Sequence, residues 1–436
     1  MVFLCWTRIS PPRQDETTAI AIGRRRSARV AGTGQGTGGD GQGQLRGLKV
    51  VEFAHVVAGP MAGSMLADQG ADVVHVEAPG AGDAARAMGP VRDGVPLWFK
   101  VAGRNKRSVT LDLHHEAGRE VAHRLVAWAD VVIVTLRAGR LRDWGLDWES
   151  VHRINPAAIL LQISGFGATS SRANEPGFGK MGEARSGVVH LTGFPGGPPV
   201  HTGFSHGDAV TGLMGAYAVL AALHRRANDP AFDGEWIDLA LFEPLYRLVE
   251  WQIITYDQLG EVPERAGNQL AVAPAAVINT YRSGDGEWIT VTSATLRSVR
   301  NVARLLGLPE EEFATSAQQY AGRERLDKGL REWVAARTTG ECLEEFARAE
   351  VVASRVFTAA DIVADPVYAE RGDVITVDDA DLGPVRMQGV IPHFHRSPGK
   401  VWRTGPALGQ DNHLVYHDWL GLGEDELADL ERHGVI

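Results

Sequence analysis

The chain has 436 residues, too many for one ordinary hydrophobic core, so we expect at least two domains. Hydrophobic residues make up 44% and charged residues 22%, as in ordinary globular proteins. The net charge of −10 argues against nucleic-acid binding, and no apolar run approaches the length of a membrane span. Cys5 and Cys342 lie far apart and match no metal-ligand spacing, so we expect a reducing, cytoplasmic setting, no disulfide and no metal site.

Residues 1–45 differ in composition from the rest of the chain. They hold most of a glycine-rich tract, Gly32–Gly47, and a short basic run, Arg24–Arg26. Such a segment cannot bury enough apolar surface to order itself, so we predict a disordered tail or a mis-assigned start codon. A transit peptide is the alternative, and acidic residues such as Glu16 and Asp40 weaken it.

The globular part opens with a predicted βαβ unit. An apolar strand at Leu48–Phe53 leads through a glycine–proline turn into a helix at Met61–Gln69 and a second strand at Ala71–Glu77. This order normally belongs to a parallel sheet, and we predict a doubly wound α/β domain over the first 165 or so residues. Its remaining predicted elements are the strands Ser108–Leu113, Val131–Val134 and Ile159–Ile163 and the helix Glu116–Trp128.

The middle of the chain predicts one more strand between two helices. A long apolar helix covers Asp208–Arg226, a strand-like run covers Trp236–Leu241, and a further helix covers Leu241–Leu259. A polar, charged stretch ending at Gly267 follows. We interpret this stretch as a domain boundary.

Beyond that boundary the pattern changes. Ala275–Tyr281 and Trp288–Thr292 are joined by the turn residues Ser283–Gly286, which predicts a β-hairpin. Alternating helices follow to about residue 350, and short strands with returning loops begin near Asp373.

Basic residues lie near two of the predicted strands. The run Arg104–Ser108 places three cations just ahead of a strand, where they suit a phosphate or pyrophosphate; the alternative is a solvated surface turn. Arg137 follows the strand Val131–Val134, and ligands of open parallel sheets bind at the carboxyl ends of strands. We therefore predict phosphate contacts from Arg104, Lys106 and Arg137, and a ligand contact from Asn105.

Small residues follow two other strands. The turn His55–Pro60 opens a helix, where backbone N–H groups approach a phosphate closely, although it lacks the G-x-G-x-x-G and P-loop spacings. Ser164–Gly167 closes a strand in the same way. We therefore predict ligand contacts from His55, Val56, Ala58, Gly165, Phe166 and Gly167.

Taken together, these segments resemble the family III coenzyme A transferases, which include carnitine and bile-acid CoA-transferases of the CaiB/BaiF type. The resemblance runs in order from about residue 46 to the C-terminus. The matching segments are Val50–Pro60, Gly70–Glu77, Gly82–Asp83, Asn105–Asp112, Ala129–Val132, Ser164–Gly167, Pro176–Phe178, Gly207–Asp208, Asp238 and Tyr281–Gly286.

The resemblance implies an α/β fold with a Rossmann-like large domain and a smaller α+β domain, in a ring-shaped chain that interlocks with a second copy. The large domain would span 46–265 and 371–436, and the small domain 266–370. The implied reaction moves coenzyme A from an acyl-CoA donor to a carboxylic acid through enzyme-bound anhydride and thioester intermediates. The partners are then small molecules and a second subunit, the CoA thioester is a substrate, and no cofactor is bound permanently.

One residue departs from the family pattern. The family's nucleophile is an aspartate that opens the helix after Pro-Gly-Phe and attacks the thioester, whereas this chain has Gly179 there. Glu183 shares the helix face of position 179, and its longer side chain recovers part of the roughly 6 Å displacement along the helix. We predict Glu183 as the nucleophile; the alternative is a helix glutamate without a role. Glu175 ranks lower because it lies in a loop before Pro176.

Gly179 leaves other functions open. One alternative is a non-catalytic CoA-binding subunit paired with a paralogue that retains the aspartate, and another is the binding of CoA thioesters for a different reaction. Racemisation of an acyl-CoA is a further alternative, but the racemases of the same superfamily use the same aspartate, so Gly179 weakens it at least as much. The glycine-rich lid of formyl-CoA transferases has no counterpart at Gly267–Val272, which argues against formyl-CoA as substrate. His55 and His206 are acid/base candidates, but hydrogen-bonded structural histidines are more common. Asp208 and Asp238 match family positions, and we expect structural roles for both.

Overall fold

The computed structural model describes residues 42–436, so most of the predicted tail at 1–45 lies outside the described residues. The strands are β1 Lys49–Phe53, β2 Asp72–Glu77, β3 Val91–Arg92, β4 Val95–Pro96, β5 Lys106–Thr110, β6 Val131–Val134, β7 Ile159–Ser164, β8 Glu235–Ala240, β9 Val277–Arg282, β10 Trp288–Ser293, β11 Ala353–Arg355, β12 Val374–Asp379 and β13 Gly383–Gln388. The helices are α1 Ala58–Asp68, α2 Leu97–Ala102, α3 Glu116–Trp128, α4 Ala138–Trp144, α5 Trp148–Ile154, α6 Gly179–Arg185, α7 Val188–Leu191, α8 His206–Asn228, α9 Glu243–Leu248, α10 Trp251–Leu259, α11 Leu296–Leu305, α12 Ser316–Ala335, α13 Thr339–Arg348, α14 Ala359–Ala364, α15 Pro366–Glu370 and α16 Glu424–Arg432.

A six-stranded sheet with the order β5-β2-β1-β6-β7-β8 forms the centre of the fold. All of its pairings are parallel. Counted along the chain, the order within the sheet is 3-2-1-4-5-6, which is that of the Rossmann-like doubly wound fold. The predicted α/β class is confirmed, and the strand order reverses between β1 and β6.

Both faces of this sheet are covered. The strands β6 and β7 are buried along their whole length. Such burial is typical of apolar strands in a parallel sheet that has helices on both faces. One face packs on α3 and on the chain's end, where Tyr416 and Leu430 join the core. The other face packs on α1 and α8, through residues such as Leu66 and Val219. The C-terminal segment therefore returns to the core that the N-terminal half builds.

A second, antiparallel sheet of order β11-β10-β9 has its own core. Tyr281 pairs with Ile289 across the hairpin, so the predicted hairpin is confirmed. Tyr281 and Ile289 are fully buried, and helices α11 to α13 supply core residues such as Leu330 and Phe346. The domain limits at 266 and 370 remain predictions.

Two expectations need correction. The run predicted as a strand at Trp236–Leu241 pairs with β7, so the doubly wound sheet extends well beyond residue 165. The single helix predicted at Leu241–Leu259 is two helices, α9 and α10, separated at Val249, whose backbone leaves the helical region. Within residues 42–436, no helix combines the length and the apolar character that crossing a membrane requires.

Candidate functional site

The candidate site lies at the carboxyl edge of the parallel sheet, where the strand order reverses. The backbone amide of His55, just after β1, donates a hydrogen bond to Oγ1 of Thr135, just after β6, at 3.1 Å. Arg137 then occupies the N-cap position of α4. The predicted turn His55–Ala58 and the predicted phosphate ligand Arg137 therefore follow the two strands that flank the reversal. Doubly wound folds bind their ligands at this point.

The turn after β1 has a constrained backbone. Val56 has φ of 67°, a left-handed conformation that is unfavourable for a β-branched residue. Its amide donates to both carboxylate oxygens of Asp83, each at 3.0 Å. Burial would raise the pKa of Asp83, but the hydrogen bond and charge of His75 and the amides of Ala85 and Val56 lower it to about 2. The carboxylate of Asp83 thus binds the backbone of the turn. An adjoining cavity of about 860 Å³ is lined by Val56, Met61, Trp98, Arg371 and His393, among others.

The basic run before β5 is arranged differently from the prediction. The guanidinium of Arg104 and the side-chain amide of Asn105 both bind the carboxylate of Asp68, Nδ2 of Asn105 at 2.8 Å from Oδ1. Nζ of Lys106 lies 2.6 Å from Oε1 of Glu52. All of these side chains are buried. Because the run lies at the amino end of β5, it begins at the sheet edge opposite to the carboxyl ends of β1 and β6. A phosphate would have to displace buried carboxylates, so the contacts favour a structural role over the predicted phosphate binding.

Arg137 has the surroundings that a phosphate ligand needs. Its side chain is exposed, and no acidic group within residues 42–436 forms an ion pair with it. It stands at the first position before α4, directly beyond the carboxyl end of β6. Of the three cations predicted to bind phosphate, Arg137 is the one whose charge is available to solvent.

The loop after β7 packs tightly against the segment that precedes α6. A Cβ added to Gly165 would lie 2.7 Å from Cα of Gly177, so neither position accepts a side chain without movement. Gly167 has φ of +86°, which favours glycine. The amide of Ala168 donates to Asp238 at 2.7 Å, in line with the structural role predicted for that aspartate. Phe166 is buried beneath Arg172, whose guanidinium lies 3.8 Å from the ring centroid.

Gly179, at the start of α6, faces the carboxyl group of Asp208. A Cβ built on Gly179 would lie 2.8 Å from Oδ1 of Asp208 and closer still to its Cγ and Oδ2. A side chain at position 179 and the carboxyl group of Asp208 therefore compete for the same space. The glycine leaves room that an aspartate from another helix, α8, fills.

Glu183 lies close to this pair, as its helical spacing predicts, but it is enclosed. Its side chain is only 1% exposed. It accepts hydrogen bonds from Nδ1 of His201 at 2.6 Å, from the amide of Gly207 at 3.1 Å and from Nζ of Lys180 at 3.0 Å. Burial would raise the pKa of Glu183, but these hydrogen bonds outweigh it and lower the pKa. A low-pKa carboxylate with so many donors and so little exposure is a poor nucleophile, so these contacts oppose the predicted role.

Asp208 has the opposite character. It is partly exposed, and no donor within the described part of the chain hydrogen-bonds its carboxylate. Burial, reinforced by the charge of Glu183 and opposed by Lys180, raises the pKa of Asp208 to about 6. Its match to a family position predicts a structural role, which these surroundings do not favour. The signal for a chemical role was the glycine at 179, but the proximity of the two residues is visible only in three dimensions.

The remaining acid/base candidates have weaker positions. Burial, partly offset by Asp83, lowers the pKa of His55, which therefore stays neutral near pH 7. Nδ1 of His206 is buried without a hydrogen-bond partner among the described residues. Glu175 forms a surface ion pair with Arg172.

A group of potential metal ligands lies on the surface, in the C-terminal part of the chain. His413 and His417 stack at 4.8 Å between ring centroids, and Glu424 faces both. The ligand atoms of all three lie within 4.8 Å of one another. No metal is part of the candidate site described above, and the expectation of no metal site stays a prediction.

Comparison with known proteins decides the family. Residues 45–412 match the model of CoA-transferase family III. The chain belongs to this family. It is a CoA-transferase of family III, as the sequence resemblance predicts.

Curated relatives and solved structures agree with this assignment. The chain is 38% identical over 398 residues to succinyl-CoA–D-citramalate CoA-transferase of Chloroflexus aurantiacus, covering 90% of this chain and 98% of that protein. It is 33% identical over 399 residues to the beta subunit of succinyl-CoA–L-malate CoA-transferase of the same organism, with coverage of 90% and 98%. A CaiB/BaiF family protein from Brucella suis matches with a TM-score of 0.75 and 34% identity, over 86% of this chain and 99% of that one.

Proposed function

We propose that this chain transfers coenzyme A from succinyl-CoA to a short hydroxydicarboxylic acid. The observation that carries the proposal is the match to a succinyl-CoA–D-citramalate CoA-transferase over 98% of that protein's length. A second relative is named for L-malate, which is also a hydroxydicarboxylic acid. The absence of a glycine-rich lid at Gly267–Val272 agrees with a donor other than formyl-CoA.

The carboxyl edge of the sheet is the proposed binding site. The exposed guanidinium of Arg137 and the backbone N–H groups at the start of α1 hold phosphates of the CoA moiety, since both flank the reversal of strand order. The amides of His55 and Val56 shape the turn instead, because they already donate to other side chains. The acyl group then lies near the loop Gly165–Gly167. This loop contacts Gly177, two residues before the start of α6. Arg104, Asn105 and Lys106 stabilise the fold in this proposal, because their charges and amides are already paired.

A substrate panel tests the proposal. The donors succinyl-, acetyl- and butyryl-CoA are each paired with D-citramalate, L-malate and short unsubstituted mono- and dicarboxylic acids, and acyl-CoA products are followed by chromatography. We expect the highest kcat/KM for succinyl-CoA with a hydroxydicarboxylic acid. A clear preference for butyryl-CoA or for monocarboxylic acceptors would overturn the substrate assignment.

A second candidate function is that of one subunit in a heteromeric transferase. A relative named as a beta subunit supports it, as does the missing side chain at Gly179. We favour the homodimer, interlocked as in the family, because the chain supplies a carboxylate at the site itself. Purified chain that exchanges CoA alone supports the homodimer, whereas activity that appears only with a paralogue carrying an aspartate at the Gly179 position supports the heteromer. The buried free thiol of Cys342 agrees with the proposed cytoplasmic location.

A further inference from the structure

The space beside Gly179 is the starting point for a more specific assignment. Three atoms of the Asp208 carboxyl group lie where a side chain on residue 179 would begin. A side chain at position 179 would require this carboxyl group to move, so the glycine leaves the space to Asp208. The chain therefore has a carboxyl group at the opening of α6, but it comes from α8.

The accessibility of the two nearby carboxylates differs sharply. Glu183 is 1% exposed and accepts hydrogen bonds from three groups. Asp208 is partly exposed, and its oxygens accept no hydrogen bond from the described residues. A nucleophile must reach a substrate carbonyl and must have a free lone pair. Asp208 is partly open to solvent and accepts no hydrogen bond from the described residues, whereas Glu183 is enclosed and its oxygens are already hydrogen-bonded.

The packing of α8 places Asp208 near the proposed CoA site. Gly212 lies one helical turn later on the same face, and a Cβ there would be 2.7 Å from the carbonyl oxygen of Ala58. Gly207, the preceding residue, packs on the Gly179 carbonyl, with a Cβ position 2.6 Å away. Asp208 is thus held between the turn after β1 and the start of α6.

We propose that Asp208 is the nucleophile that carries the covalent intermediates in this chain. The inference rests on the proposed CoA transfer and assigns its reacting group. A carboxylate oxygen of Asp208 attacks the thioester carbonyl, the C–S bond breaks, and CoA leaves as a thiolate from an acyl–Asp208 anhydride. The thiolate attacks the Asp208 carbonyl carbon, the anhydride C–O bond breaks, and the donor acid leaves as a carboxylate. CoA is then held on Asp208 as a thioester.

The acceptor acid completes the exchange by the same two steps in reverse. Its carboxylate attacks the Asp208 thioester and releases the CoA thiolate, which then attacks the acceptor carbonyl of the new anhydride. Acceptor-CoA leaves and the Asp208 carboxylate is restored, with no net proton or electron consumed. Glu183 is a positioning residue in this scheme: it fixes Lys180, His201 and the amide of Gly207 around the start of α8.

Chemical trapping tests the assignment. The full chain is incubated with succinyl-CoA and treated with borohydride, which reduces an enzyme thioester to an alcohol, and the modified residue is located by peptide mass spectrometry. We expect the modification at Asp208. Modification at Glu183 would overturn the inference while leaving CoA transfer intact. If the wild type exchanges CoA with no acid in the panel, the proposed function fails instead.

Substitutions give an independent measurement. D208N is expected to lose trapping and to lower kcat by about 10³-fold or more, while a thermal shift with CoA shows that the variant still folds and binds. E183Q is expected to retain trapping at Asp208, and the surface variant E175Q is expected to retain full turnover. Full turnover in D208N would refute the assignment.

A carboxylate exchange between the two positions separates a chemical role from a structural one. The variant D208G removes the carboxyl group, and G179D/D208G returns it to the other side of the same space. We expect the double variant to recover a measurable part of the turnover that D208G loses. A double variant that is no more active than D208G counts against a shared carboxylate position.

Discussion

The amino and carboxyl edges of the parallel sheet both carry charged residues, but they use them differently. At the amino edge, Arg104 is buried against Asp68 at 2.5 Å. At the carboxyl edge, Arg137 is exposed and Asp208 is partly exposed, and neither forms an ion pair within residues 42–436. The residue types are the same at the two edges. A charged side chain that forms a buried ion pair stabilises the fold, whereas one without an ion-pair partner is available for binding or chemistry.

The largest expected effect comes from breaking the amino-edge pair. R104M leaves the buried Asp68 carboxylate without its main cation, and we expect the free energy of unfolding to fall by about 3–5 kcal/mol. Urea denaturation followed by circular dichroism measures it. The matched control is R142M, which removes an exposed arginine and should change the stability by about 0.5 kcal/mol or less. If R104M lowers the free energy of unfolding as little as R142M does, the ion pair between Arg104 and Asp68 is not needed for the fold.

A smaller effect, on binding alone, is expected at the carboxyl edge. R137A removes the exposed cation at the reversal point, and we expect the KM for acyl-CoA to rise by about 10- to 100-fold, as charged hydrogen bonds of about 1.5–3 kcal/mol imply. The unfolding free energy should stay near that of the wild type. Dephospho-CoA thioesters give the control: if Arg137 binds the 3′-phosphate, R137A loses nothing further with them. An unchanged KM for every CoA thioester would exclude Arg137 from the site.

The pH dependence of kcat tests the carboxylate at the same edge. Asp208 has a pKa of about 6 because of burial and the charge of Glu183, so its nucleophilic form decreases as the pH falls through 6. We expect kcat to drop about tenfold per pH unit below that point. In E183Q one negative neighbour is gone while Lys180 remains, so the midpoint should move to lower pH. A pH profile that is flat from 5 to 7 would contradict ionisation of Asp208 as the controlling step.

Features that depend on local sequence are predictable, whereas features that depend on contacts between distant segments are not. The limits of α3 and β6 agree with prediction because their apolar patterns and caps are local. The burial of Arg104 was missed because its partner Asp68 is 36 residues away and joins it only after the βαβ unit has closed. The inaccessibility of Glu183 likewise depends on His201, a residue from a separate loop. The local sequence pattern predicts the helices and strands and indicates which edge of the sheet binds the ligand. Which charged side chains form ion pairs depends on contacts between segments that are distant in the sequence.

The smallest expected effect is a gain in stability when the reactive carboxylate is removed. The pKa of Asp208 is raised from 3.8 to about 6, so between these values the folded chain binds more protons than the unfolded chain. Stability therefore falls as the pH rises through this window, and the penalty is fully present at pH 7. D208N carries no charge and should be more stable than the wild type by about 1 kcal/mol at pH 7, after allowance for partial exposure.

Urea denaturation at pH 7 and pH 5 measures this gain, which should shrink at the lower pH as the wild-type carboxyl group becomes protonated. The surface variant E175Q should show no such gain at either pH, since Glu175 is exposed and paired with Arg172. A D208N variant that is less stable than the wild type at pH 7 would mean that Asp208 holds the start of α8 in place. The expected combination of lost turnover and raised stability is typical of a group that a fold maintains, at some expense in stability, for chemistry.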